Sequence, residues 1–269
     1  MSLPVLIMNK RLKHFIASLI GAGAFAMYLS LPVESSYYGL LVLLAIVAFL
    51  FWFGLGLIFE GSVDTKIMVI LLPGLWTIGF GLFASLLPNT AMYITISSLF
   101  FGLILYTLFL VNNVFLVAIG YKTVPLYREA YTVSWIILLL TAFFLFDSLL
   151  SFKLPFWGNM LVTLVIALML FTNNYWNIAI ELPDDGKEKG RWPYIIVPSI
   201  VLAELIGILS FWPVGIFRGS VYLIVVIYII SALIQAEIRD RLFRGVVRTF
   251  AYMAIGAILA MILTTRWGG

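Results

Sequence analysis

An all-α polytopic membrane bundle of about nine helices is the fold class this sequence predicts, and three observations predict it. The chain is 64% hydrophobic and 10% charged, with a mean hydropathy of +1.14, whereas soluble domains carry about a quarter charged residues. Its apolar residues fall in continuous runs near the roughly 20 residues a spanning helix needs, without the period of two that barrel strands show. Its basic residues collect on alternate connections between those runs. Residues 1–269 read as a single integral membrane domain, since the longest polar stretch, "ELPDDGKEKGRWP" (Glu181–Pro193), is only a loop.

The first run, Phe15–Leu31, follows Lys10, Arg11, Lys13 and the single histidine, His14. That start and the "AFA" at Ala24–Ala26 resemble a cleavable signal, but "MYLSLP" carries the apolar run onward, so an uncleaved helix is expected. His14 is expected among head groups. The second and third runs, Tyr38–Phe59 and Ile67–Leu87, are apolar, and the third holds the glycines of "GFG" (Gly79–Gly81) as packing sites. The same role is expected of Ala17 with Gly21 and of Gly256 with Ala260. The fourth, Met92–Ile119, carries Asn112 and Asn113 near its end. The fifth, Tyr131–Leu150, starts after Arg128 and Glu129 and bears Asp147 near its far end. The sixth, Phe156–Ile180, closes on Asn173, Asn177 and Glu181. The seventh, Tyr194–Trp212, has one internal charge, Glu204; Gly219–Gln235 and Val246–Leu263 complete the set. Trp157, Trp176, Trp192, Trp212 and Trp267 fall near run ends, as an aromatic belt requires.

Nine spans with the N-terminus in the cytoplasm put Lys10, Arg11, Lys13, Lys66, Lys122, Arg128, Lys187, Lys189, Arg191, Arg239, Arg241, Arg244 and Arg248 inside. Only Lys153, Arg218 and Arg266 fall outside. This positive-inside bias explains the net charge of +4 without a nucleic-acid partner. The absence of cysteine excludes disulfides, thiolate metal sites and cysteine nucleophiles. With one histidine, a His-based metal site or catalytic triad within the chain is not expected, and no motif calls for a cofactor.

A weak repeat marks the outward helix ends: "SLP" (Ser30–Pro32), "SLLP" (Ser85–Pro88), "SFKLP" (Ser151–Pro155) and "SFWP" (Ser210–Pro213). It suggests parallel helical hairpins after a lead helix, or simply that proline ends helices. The segment "VPLYREAYTVSWIILLLTAFFLFDSLLSF" (Val124–Phe152) resembles an uncharacterised family of bacterial polytopic inner-membrane proteins with no assigned function. The resemblance implies a multi-pass protein of the bacterial inner (cytoplasmic) membrane and transfers no functional residue.

Glu204 demands a reason, because a carboxylate inside a span costs about 2.5–3.5 kcal/mol. Gly207, one turn on, would let a neighbouring helix approach, so Glu204 is expected to face protein. There it could bind a cation or proton in a transport path, or bond to a neighbouring helix. Asn173, Asn177 and Glu181, spaced i, i+4 and i+8, form one stripe. With Asn112, Asn113 and Arg128 they could line a cytoplasm-facing pocket for a phosphate-bearing or sugar head group, or serve helix packing. Arg241, Arg244 and Arg248 in "EIRDRLFRGVVR" read as one basic face touching anionic lipid head groups. Asp184 and Asp185 sit in a turn and read as solvated. Three functions follow in order: binding or transport of a small solute or lipid, a structural subunit of a larger membrane complex with a membrane-protein partner, and a lipid-modifying enzyme at the cytoplasmic face. The last has the fewest candidate groups, so an enzyme is not the expectation.

Overall fold

The computed structural model of the chain describes residues 10–57, 62–88, 90–121, 124–181 and 190–265. Among these are nine long helices: α1 (Lys10–Leu29), α2 (Ser36–Gly54), α3 (Val63–Ser85), α4 (Ala91–Gly120), α5 (Tyr127–Ser151), α6 (Phe156–Ala179), α7 (Arg191–Leu209), α8 (Ile216–Ile238) and α9 (Arg244–Thr264). Each is long and apolar enough to cross a membrane, so the protein is an integral, multi-pass membrane helix bundle.

Helix ends differ from the apolar runs for local reasons. Polar flanks such as Lys10–His14 wind into α1, because helix satisfies the backbone where water thins out. The second run continues to Phe59, yet α2 stops at Gly54. Gly56 adopts φ 74°, and the bonds Leu57 N–H to Trp52 C=O (2.8 Å) and Gly56 N–H to Phe53 C=O (3.2 Å) close a Schellman cap. Asp240 does the same after α8 with φ 52°, where Arg241 N–H reaches Ala236 C=O at 2.7 Å.

The helices gather in two compact units, Met1–Val117 and Ala118–Gly269. The first is built on aromatic stacks against α4. Phe25 lies 4.2 Å from Phe101 between ring centres, Phe51 lies 4.0 Å from Phe109, and Trp76 stacks on Phe101 at 6.4 Å. Small residues set the approach: a Cβ on Gly102 would stand 2.9 Å from Ala22 Cβ, and one on Gly54 would stand 2.7 Å from the Phe109 ring. His14 departs from expectation. It is buried and stacked 5.4 Å from Phe109, because the first turn of α1 packs inward rather than toward head groups.

In the second unit α6 packs on α7 and α5 on α8, and α9 leans on α8. Gly207 is a true contact point, since a Cβ there would meet Met160 Sδ at 2.8 Å. Gly256 is not: nothing lies within 4 Å of its would-be Cβ, and α9 buries no residue. Both units run their helices up and down. Lys13 lies over Phe53, the end of α2, in the first unit. Glu181, after α6, meets Arg239, after α8, in the second. The described basic residues thus gather at one end of each unit, apart from Lys153 and Arg218.

Candidate functional site

Glu204 faces away from its own unit. The buried face of α7 is Ile195, Pro198, Ser199, Leu202, Ala203, Ile206 and Gly207. At about 100° per residue, Glu204 falls nearly opposite the centre of that face. It is exposed, between the exposed side chains of Val197, Val201 and Ile208. Within this chain, therefore, the carboxylate does not face a neighbouring helix, contrary to the approach that Gly207 suggested. Gly207 does receive a neighbouring helix, but it sits at the edge of the contact face, and Glu204, three residues earlier, has already turned outward. Glu204 has no hydrogen bond or ion pair with any described residue.

The asparagine stripe, by contrast, turns inward and binds helices together. Asn173 and Asn177 are buried on α6. The Asn177 Nδ2 group donates to Ser134 Oγ on α5 (3.1 Å) and to Asn173 Oδ1 (3.2 Å), while the Tyr127 hydroxyl donates to the Asn177 carbonyl. Glu181 continues the stripe and pairs with Arg239 at 2.8 Å. The Arg239 guanidinium lies 5.3 Å from the Tyr131 ring centre, within cation–π range. Tyr131 Oη, Asn174 Nδ2, Asn177 Oδ1 and Ser231 Oγ are buried without a hydrogen-bond partner among the described residues. Donors and acceptors left over in this way are what ordered water satisfies.

The other expected site residues lie apart from this network. Asn112 is buried in the first unit and donates to the Val69 carbonyl of α3 at 3.2 Å; Asn113 beside it is half-buried. Arg128 is exposed at the start of α5. Arg244 and Arg248 share an exposed face of α9, one turn apart, but Arg241 lies in the break after α8, so the expected three-arginine helical face shrinks to two. Asp184 and Asp185 lie outside the described residues. Among the described residues no group of three or more His, Cys, Asp or Glu could hold a metal ion.

Sequence reasoning missed Tyr127, Tyr131, Ser134 and Arg239. The first three were legible as an i, i+4, i+7 stripe on α5, the spacing that had revealed the asparagines on α6. Arg239 carried no such signal, because it reads only as one more basic residue at a span end. No family model, no curated protein and no solved structure matches this chain.

Proposed function

We propose that the protein is a membrane-embedded subunit of a larger complex, and that the outer face of α7 docks a partner transmembrane helix bearing a lysine or arginine opposite Glu204. The exposure of Glu204 on an otherwise apolar face carries this reading. Its leucine, isoleucine and valine neighbours return about 0.3–0.6 kcal/mol each on insertion, so α7 enters the bilayer despite the carboxylate. Insertion alone gives the carboxylate nothing to bind, and a buried charge is stable only with a partner.

The chain itself is a poor source of that partner. Among the described residues, its lysines and arginines sit in connections or within the first two turns of a helix. Arg218, in the first turn of α8, already donates to the Thr264 carbonyl at 2.6 Å. The described part of a second copy in the same orientation therefore offers no lysine or arginine near the middle of a span, and charge complementarity favours a different chain. Transport through Glu204 needs water at the carboxylate, whereas Val197, Val201 and Ile208 surround it. The asparagine network suits this reading as helix glue. The basic bias of alternate connections supports an N-terminus in the cytoplasm, and the family resemblance of Val124–Phe152 supports a bacterial inner membrane.

Extraction from native membranes into lipid nanodiscs tests the proposal, with wild type compared to Glu204→Leu. A stoichiometric membrane protein carried by wild type and lost from the variant is the expected result. A small molecule lost from the variant, with no protein on either, would instead return the carrier reading.

A further inference from the structure

We infer that α5 to α8 form a hinged cleft. One arm, α6 with α7, swings against the other, α5 with α8, and opens a polar interior to water at the Glu181–Arg239 end. The chain path sets the hinge. The two arms are joined in sequence by the proline-marked elbows 152–155 and 210–215, and both elbows lie at the end away from Glu181 and Arg239. A hinge needs only a few such connecting residues to absorb the change in φ and ψ.

Each arm is tied along its length. In α6 and α7, Gly207 receives Met160, Asn159 Nδ2 donates to Ser210 Oγ at 3.1 Å, and the Tyr175 and Tyr194 rings stack 6.2 Å apart toward the other end. In α5 and α8, a Cβ on Gly219 would stand 3.1 Å from Leu150 Cδ1. Ser220 Oγ donates to Asp147 Oδ1 at 3.4 Å, and the Trp135 and Tyr228 rings lie 5.0 Å apart. Helices packed this closely move as one body rather than deform. Between the arms, a cavity of about 470 Å³ lies at the elbow end, lined by Leu150 and Gly219 from one arm and by Asn159 and Ser210 from the other.

Polar links clasp the arms at the far end from the elbows. Asn177 Nδ2 donates across the cleft to Ser134 Oγ, the Tyr127 hydroxyl donates to the Asn177 carbonyl, and Glu181 meets Arg239. The closed clasp also holds a reason to open. Tyr131 Oη, Asn174 Nδ2, Asn177 Oδ1 and Ser231 Oγ lie within about two turns of that end, buried and without a hydrogen-bond partner among the described residues. A buried, unpaired polar atom costs free energy that contact with water returns. Opening therefore breaks the clasp but hydrates these groups, which brings the open and closed forms close in free energy.

Thiol labelling tests the hinge, because the chain has no cysteine of its own. Ser134→Cys sets a thiol inside the clasp end, and Ser148→Cys sets one far along the same helix, near the elbow; both serines are buried. With the full chain in lipid nanodiscs, a charged methanethiosulfonate should label Ser134→Cys slowly. Adding Glu181→Gln should raise that rate about twofold to fivefold, and adding Tyr127→Phe should raise it about threefold. The rate at Ser148→Cys should respond to neither change. Exchanging the charges, Glu181→Arg together with Arg239→Glu, should restore the slow rate at Ser134→Cys. An unchanged rate at Ser134→Cys in either variant, equal acceleration at Ser148→Cys, or no restoration by the exchange would overturn the proposal.

Discussion

The outer faces of α7 and α9 are both uncovered, and they differ by one residue type. On α9 the exposed side chains between Arg248 and the helix end, among them Tyr252, Ile255, Ile258 and Leu259, are all uncharged. That is the composition lipid selects, because acyl chains and leucine are equally apolar. On α7 the same kind of surface is interrupted by Glu204. The difference separates a face that lipid alone can cover from one that asks for a protein, and exposure by itself could not make that distinction.

The largest expected effect comes from erasing the difference. Glu204→Leu should make α7 resemble α9: the partner is lost on extraction while the isolated protein keeps its thermal stability. Stability lost together with the partner would show that the carboxylate serves the fold. The converse substitution, Ile255→Glu on α9, should cost about 2.5–3.5 kcal/mol of insertion free energy, read as reduced integration in a glycosylation-reporter assay. It should recruit no partner, and recruitment would mean that any exposed carboxylate suffices.

Smaller effects belong to the inward-facing network. Interhelical hydrogen bonds in membranes average about 0.6 kcal/mol and reach about 1.7. Asn177→Ala removes one of them, the bond to Ser134, and should lower unfolding free energy in bilayer-like detergent by about 0.6–1.7 kcal/mol, with partner retention unchanged. Arg239→Gln should cost less, about 0.2–1 kcal/mol, because the Glu181 pair remains partly open to solvent. Added salt should shrink that difference between wild type and variant.

What the sequence made legible follows the same physics. The spans could be read because lipid demands length and apolarity, and the flanking charges and elbow prolines punctuated them. The direction each helix faces could not be read in the same way. A soluble helix announces its core by polarity, whereas here core and lipid are both apolar, so Glu204 was assigned the face of Gly207 from a one-turn spacing alone. The buried Leu202 and Ile206 show the true contact face, and nothing in their chemistry distinguishes them from the exposed Val201 and Ile208. Where polar residues repeat at helical spacing, as at Asn173, Asn177 and Glu181, orientation became readable. His14 misled for the opposite reason: its charged neighbours suggested an interface, but its own partner was an aromatic ring far along the chain.

The most direct test of the central claim uses the fact that the chain has no cysteine. A single cysteine at 201, on the exposed face one turn before Glu204 and leaving the carboxylate in place, and a second, as a buried control, at 203 would each be labelled with a photo-crosslinker in native membranes. Position 201 should capture one membrane protein in near-stoichiometric yield, and position 203 should capture only helices of its own chain. Capture of lipid alone at 201 would contradict the docking of a partner on this face, and the carboxylate of α7 would need another reason.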